Sequence, residues 1–230
     1  LCDSEGKLNP AAVGWSRHPV HNCTLHRRWP RKKRWNYWCV TNDRFLFSAT
    51  LSTLDYAGLA FVYVLDFESK EFIERTSTVP LARGIAMSDT VAGACRYEGQ
   101  GTQLRFEPTG GGVALRVHCD RFKDGPLDAE LTIHVPKNHE TLNVVIPWDA
   151  RRYQFTSKQH ALPASGTVRY AGREIVFDPA ESFACLDYGR GVWPYRCTWN
   201  WGGGSGRSED GRIVGLNLGE ARLEREAADH

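Results

Sequence analysis

The sequence contains no run of eighteen apolar residues and almost no surplus of charge. Its 29 basic and 27 acidic residues give a formal net charge of +2, whereas nucleic-acid-binding domains usually carry a broad basic surplus. A helix needs about 20 consecutive apolar residues to span a membrane. Residues 1–6 lack the basic-then-apolar layout of a secretion signal. We therefore expect a cytoplasmic protein that has no membrane span and does not bind nucleic acid.

One short stretch, HRRWPRKKR at 26–34, mixes basic residues with an aromatic ring. Such a mixture can hold phosphates and stack bases. A single run that contains a proline is nevertheless more typical of a solvated surface loop. Binding of an anionic group of a small ligand by Arg31, Lys33 or Arg34 stays open.

Motifs for metals, nucleotides and redox cofactors are also missing. The seven cysteines are irregularly spaced and include no C-x-x-C pair, so the sequence indicates neither a zinc ribbon nor a redox site. There is no H-E-x-x-H and no glycine-rich motif of the phosphate-binding or dinucleotide-binding type. We expect no metal and no cofactor. We also expect reduced thiols, although the sequence leaves a disulfide open.

Short strand patterns separated by turn residues fill most of the chain. In residues 113–120 and 128–135, apolar and polar side chains alternate, so each segment has one apolar face. Helical periodicity is confined to 218–228, LGEARLEREAA, which consists mostly of good helix formers. The many short strands predict an all-β, antiparallel barrel or sandwich. A change of composition at PASG, 163–166, indicates a seam between two β units.

The most unusual segment is DYGRGVWPY at 187–195, followed by WNWGGG at 199–204. A carboxylate and a guanidinium are costly to bury unless they are paired, and a buried tryptophan needs a partner for its N–H. This mixture is typical of an apolar pocket with a few placed polar groups. The alternative is a structural corner in which Asp187 and Arg190 pair and the rings simply pack.

A second polar pattern occurs in FTSKQHALPASG at 155–166. In an extended chain, Lys158 and His160 point the same way as Gln154 and Thr156, because alternate residues share a face. A lysine beside an imidazole can orient a ligand oxygen or move a proton. The alternative is that this polar stripe is the wet exterior of a barrel.

Several segments resemble a bacterial family of lipocalin-like proteins known as a domain of unknown function, DUF2804. They are LCDSEGKLNPAAVGWSRHP at the amino end, RKKRWNYWCV at 31–40, SKQHALPASG at 157–166, LDYGRGVWPYRCTWNW at 186–201 and GLNLG at 215–219. The family is distantly similar to the group of carotenoid hydratases and AttH proteins.

This resemblance implies an antiparallel, lipocalin-like (calycin) β-barrel fold with two successive units. The first would cover residues 1–150, the second would begin at 151–217, and a helical tail would follow at 218–230. The resemblance also implies cavities for hydrophobic small molecules and chemistry without a cofactor. The positions that match the shared motif are Lys158, His160, Asp187, Tyr188, Arg190, Trp193, Trp199 and Asn200, and the signature of the first unit is matched by Trp15, Arg17, Trp35 and Trp38.

Two functions fit these residues. The first is cofactor-independent hydration, isomerisation or cyclisation of an unsaturated lipid-like, terpenoid-like or polyketide-like substrate. Asp187 would be the general acid, and His160 or Tyr188 would accept the departing proton. The residues expected to bind the substrate are Lys158, Arg190, Trp193, Trp199, Asn200, Trp35 and Trp38. The second function is a carrier or sensor with the same pocket and no chemistry.

The sequence departs from the family pattern after GLNLG. Family members continue there with further strands, whereas this chain runs into EARLEREAADH at 220–230. We therefore expect an incomplete second unit. Because unpaired strand edges are a liability, we expect a second copy of the chain or a partner chain to cover the open edge.

Overall fold

The computed structural model describes residues 1–222, with side chains as far as residue 220. Within this range the regular structure is sixteen β-strands and one 3₁₀ turn at Pro10–Ala12. No helix in this part of the chain is long and apolar enough to cross a membrane. The strands are β1 Gly14–Ser16, β2 Lys32–Thr41, β3 Phe45–Thr53, β4 Ala57–Asp66, β5 Phe72–Pro80, β6 Ala86–Met87, β7 Cys95–Gly99, β8 Thr102–Thr109, β9 Gly112–Phe122, β10 Gly125–His134, β11 Leu142–Pro147, β12 Tyr153–Tyr170, β13 Arg173–Phe177, β14 Phe183–Val192, β15 Thr198–Arg207 and β16 Ile213–Arg222.

Fourteen of these strands form one curled sheet, and every strand pair is antiparallel. The sheet runs in the order β5-β4-β3-β2-β14-β12-β10-β9-β8-β7-β6, with β11 and β13 also pairing with β12 and with β1 pairing with β11. The all-β, antiparallel prediction is therefore confirmed.

The 18-residue strand β12 belongs to both halves of this sheet. Its residues 153–163 pair with β14, and its residues 164–170 pair with β10. The register with β14 shifts between Gln159 and Leu162, close to the change of partner, and Ala161 there has a φ of 58°. Such a bulge bends a strand, so β12 passes from one half-sheet into the other.

The hydrophobic core lies between the two half-sheets, which face each other where β5 contacts β9 and β3 contacts β7. Alternate residues of β9 and β10 fill this space, and each is at most 4% exposed: Leu115, Val117, Cys119, Leu127, Ala129, Leu131 and Ile133. The alternation predicted for 113–120 and 128–135 is confirmed as far as Ile133, whereas Val135 follows the end of β10 and is exposed.

Strands β15 and β16 form a separate hairpin that lies against β12 and β14. The helix predicted at 218–228 is wrong over 218–222, because these residues belong to β16 and pair with 198–202. Helix propensity is a weak preference that pairing with a neighbouring strand overrides. Residues 223–230, the rest of the predicted helical tail, lie outside the described residues. The division into units at residue 150 stays a prediction.

Candidate functional site

A cavity of about 330 Å³ lies between the hairpin and the sheet face formed by β2, β11, β12 and β14. We call this sheet face the floor and the β15–β16 hairpin the roof. Four indoles and three aliphatic side chains of β11 line the cavity: Trp35, Trp193, Trp199, Trp201, Leu142, Val144 and Ile146. The polar side chains on its wall include Gln154, Thr156, Lys158, Asp187, Asn200, Asn217 and Glu220.

Strand alternation explains why the polar residues of the floor meet. Gln154, Thr156 and Lys158 lie two residues apart on β12, and all three line the cavity. Three residues of the polar stripe predicted for this segment therefore face the cavity instead of solvent, whereas the fourth, His160, lies outside it. Asp187 of β14 lies directly opposite Lys158 in the strand register.

Lys158 and Asp187 form an ion pair in the floor. The Lys158 ammonium lies 2.6 Å from Oδ2 of Asp187, and the two side chains are 13% and 17% exposed. The Trp35 indole N–H donates a hydrogen bond of 3.0 Å to Oδ1 of Asp187. The ammonium also lies 4.4 Å from the ring centroid of Trp201 in the roof, within cation–π range. Both oxygens of Asp187 thus act as acceptors.

The indoles at one end of the cavity are packed against each other. The rings of Trp35 and Trp193 are 4.8 Å apart, and Trp148 lies behind Trp193 at 6.3 Å. Gly189 of β14 is opposite Trp35 in the register, and an added Cβ there would lie 2.2 Å from the indole. Glycine at 189 therefore lets the Trp35 ring lie directly over the neighbouring strand.

Arg190 does not pair with Asp187, because residues three apart on a strand point to opposite faces. The Arg190 side chain is fully buried on the core side of β14. Burial lowers the pKa of Arg190 below its ordinary value. Its guanidinium donates to four neutral oxygens at 2.7–3.0 Å, those of Trp35 O, Gly189 O, Ser88 O and Asn36 Oδ1. The pairing weighed as the alternative is replaced by Lys158–Asp187, and Arg190 lies away from the cavity.

Two other residues expected at the site also lie in the core. Tyr188 is fully buried and packs edge-on against Phe155 at 5.9 Å, and burial raises the pKa of Tyr188 well above its ordinary value. Trp38 is 3% exposed and belongs to the core cluster. Trp38 is three residues after Trp35, so the two indoles point to opposite faces of β2. Of the remaining signature residues, Trp15 is exposed outside the cavity.

His160 lies next to the roof but outside this cavity, on the far side of Trp201. Its Nε2 is 3.2 Å from Oδ1 of Asn217, and the Trp201 indole N–H donates to the same oxygen at 2.7 Å. Because Oδ1 can only accept, the His160 proton is assigned to Nε2. Burial lowers the pKa of His160 below its ordinary value.

The residues that sequence reasoning missed come mainly from the roof and from β11. Trp201 follows Trp199 by two residues, so alternation could have placed both indoles on one face. The aliphatic alternation of Leu142, Val144 and Ile146 was likewise visible. Asn217 carries no local signal, because only the return of β16 over β12 brings it to His160. Among the described residues, no group of three or more metal-binding side chains is brought together.

The curled antiparallel sheet has a lipocalin-like β-barrel fold. The chain belongs to the family described as domain of unknown function DUF2804, whose model matches residues 1–229. A crystal structure from Nitrosomonas europaea, provisionally assigned as AttH, is similar with a TM-score of 0.50 and 10% identity, over 90% of this chain and 72% of that chain. Kievitone hydratase from Nectria haematococca superposes with a TM-score of 0.39 and 9% identity, over 84% of this chain and 63% of that chain. No curated protein matches.

Replacing Arg190 with methionine tests its structural role. Arg190→Met removes the donor to four acceptors that are buried or partly buried, so we expect a loss of about 3 kcal/mol or more in the free energy of unfolding, measured with urea. Arg169→Met is the control, because Arg169 is 56% exposed and pairs with exposed Glu174, and its unfolding midpoint should stay close to that of the wild type. Equal stabilities of the two variants would contradict the role given to Arg190.

The lowered pKa of His160 predicts acid lability of the folded chain. Below the ordinary pKa of histidine, about 6.5, the unfolded chain takes up a proton more readily than the buried imidazole, so stability is lost as the pH falls. His160→Gln should reduce this loss between about pH 8 and about pH 5, by at most about 1.4 kcal/mol per pH unit. Thermal unfolding at each pH measures it. Exposed His134 offers the control His134→Gln, which should keep the wild-type profile; an unchanged profile in His160→Gln would refute the prediction.

Proposed function

We propose that this protein binds a hydrophobic small molecule in the cavity between floor and roof, with a polar group of the ligand against Lys158 and Asp187. The volume of about 330 Å³ lies within the range of about 300–1,000 Å³ that is usual for ligand pockets. Four indoles and the aliphatic wall of β11 supply apolar contacts, and the polar side chains of the wall, among them Lys158 and Asp187, are placed to orient a ligand. This composition is that of a site for an apolar molecule with one polar end.

The observation that carries the proposal is the ion pair at the floor of a cavity that four indoles also line. Lys158 and Asp187 are largely withdrawn from water. The free-energy cost of desolvating two charges often exceeds the stabilisation from their attraction. In proteins, replacing a buried ion pair with hydrophobic residues of similar volume is often neutral or stabilising. Charges kept at the floor of a cavity are therefore better explained by contact with a ligand than by stability.

Proton-transfer chemistry is the second candidate function, and it is favoured by the position of these titratable groups. Hydration, isomerisation or cyclisation of an unsaturated substrate needs a proton donor beside a carbon–carbon double bond. Asp187 accepts from Lys158 and Trp35, so its acid role requires the Lys158 proton to pass to the carboxylate once the substrate has excluded water. The indole faces then lie where they could stabilise a developing cation. Without that step the same site is a carrier or sensor.

A cytoplasmic location and a covering chain are further parts of the proposal. Each hairpin strand has one edge without a strand partner among the described residues, and Leu216 and Leu218 on the roof are exposed. A second copy of the chain or a partner chain over these edges would cover both features. Sedimentation velocity of the purified chain distinguishes a monomer from a dimer.

Ligand binding is tested by filling the cavity with a charge. Val144 faces the cavity from β11, so Val144→Glu should weaken binding of the fluorescent probe 1-anilinonaphthalene-8-sulfonate by about tenfold or more, since it blocks the space, puts a charge among apolar groups and repels the sulfonate of the probe. Val176→Glu is the matched control, because Val176 of β13 is exposed and outside the cavity. Native mass spectrometry of gently purified protein would also reveal a copurified compound. Equal probe binding by both variants would argue against the site.

The chemical role of Asp187 is tested by Asp187→Asn. The amide keeps the size of the side chain but cannot donate an acidic proton, so the variant should bind the copurified compound and fail to convert it. Loss of the ion pair should cost about 1–3 kcal/mol of stability, because the pair is mostly but not fully buried. Conversion is followed by chromatography and mass spectrometry, with Asp128→Asn, an exposed carboxylate on β10, as the control. Conversion by Asp187→Asn at the wild-type rate would exclude the acid role. If the wild type converts nothing, the function that remains is that of a carrier or sensor.

A further inference from the structure

A second, smaller cavity of about 150 Å³ lies under the same roof. Tyr37 and Cys39 of β2 line it, together with His160 of β12 and Cys185 of β14. These strands also form the floor of the first cavity. The two spaces therefore share one sheet face and one hairpin.

The two cavities lie end to end along the strands. On β2, Trp35 lines the first cavity and Tyr37, the next residue on the same face, lines the second. Residues two apart on a strand are about 6.5 Å from each other. The same step recurs on β12 and β14, from Lys158 to His160 and from Asp187 to Cys185. Because β14 is antiparallel to both neighbours, all three steps run in the same direction.

Trp201 stands at the junction, since it lines both cavities. Its indole is fixed from several sides. The N–H donates to Asn217 at 2.7 Å, the ammonium of Lys158 lies 4.4 Å from the ring centroid, and the rings of Tyr37 and His160 lie 6.1 and 5.8 Å away. The indole thus reaches from the roof to floor residues of both cavities.

Past Trp201, the part of β15 that covers the second cavity has almost no side chains. Residues 202–204, which follow Trp201 and cover the second cavity, are all glycine. An added Cβ on Gly203 would lie 2.1 Å from Cε1 of His160, so the backbone itself rests on the floor there. On β15, Trp201 is therefore the side chain that separates the two spaces.

We infer that Trp201 sets the length of ligand that the site accepts, by dividing one elongated trough into two. The inference deepens the proposed function and rests on it. The chemical class that fits such a trough is a linear apolar chain with one polar end. With the indole in place, such a chain fills the first cavity only. Without it, a longer chain passes over Lys158 and enters the space beside Cys39 and Cys185.

A homologous series of ligands tests this inference. Linear primary alcohols of about six to sixteen carbons compete with 1-anilinonaphthalene-8-sulfonate for the wild type and for Trp201→Ala. Each methylene that is buried should raise affinity about fourfold. For the wild type this gain should stop at the chain length that fills the first cavity. For Trp201→Ala it should continue over about two or more further carbons.

Three further variants make the comparison specific. Trp201→Phe keeps a ring at the junction and loses the N–H. Its affinity for the alcohols should therefore stop rising at the same chain length as in the wild type. Trp199 lines the first cavity only. Trp199→Ala should therefore lower the affinity for every alcohol, while the chain length at which affinity stops rising (the stopping length) stays that of the wild type. Trp201→Leu replaces Trp201→Ala in the test if circular dichroism shows that the alanine variant is unfolded.

Two results would overturn the inference, and only the second would also overturn the proposed function. The same stopping length in the wild type and in the folded Trp201→Ala or Trp201→Leu variant would refute the role of Trp201 and leave the proposed function intact. Failure of the probe and of every alcohol to bind the wild type would refute the proposed function, and the inference with it.

Discussion

Because β2, β12 and β14 are central strands covered on both sides, the two-residue alternation of an extended chain assigns each of their side chains to one of two buried surfaces. One surface packs against the second half-sheet, and the other is the floor under the hairpin. Asp187 and Arg190 are three residues apart and so belong to different surfaces, as do Trp35 and Trp38. A shift of one residue in register would exchange the two surfaces, which is why pairing between these strands fixes the site.

The two charges of β14 consequently meet different partners. Asp187 faces the cavity and takes Lys158 from the adjacent strand. Arg190 faces the core, where no carboxylate reaches it among the described residues, and it donates to backbone and amide oxygens instead. Those oxygens belong to β2 and to the segment around Ser88, so one buried guanidinium connects them to β14. The backbone that carries Asp187 is held from its opposite face, and the geometry of the floor depends on that attachment.

Much of this arrangement could be predicted from residue patterns, because alternation is a local property. The all-β class and the polar stripe of Lys158 follow from it. The same rule, applied to residues 187–193, would have separated Arg190 and Tyr188 from Asp187; grouping them by nearness in sequence put them in one pocket. The packing of β16 over β12 depends on contacts between residues far apart in the sequence. The local sequence of 218–222 instead predicted a helix, because these residues include good helix formers. Asn217 could not be assigned to the site for the same reason.

The roof is the part of the site with the weakest attachment, and its glycines explain why. Gly203 leaves no room for a Cβ above His160, and Gly215 lies tightly over Ala161, so the hairpin approaches the floor through bare backbone. Glycine contributes no side-chain packing and loses more chain entropy on ordering than other residues. Attachment therefore rests on a few contacts, chiefly those of Trp201 with Lys158, of Asn217 with His160 and of Ser205 with Ala161. Elements with few buried contacts open at lower free energy than the core, and a ligand that touches both floor and roof adds contacts where the fold has fewest.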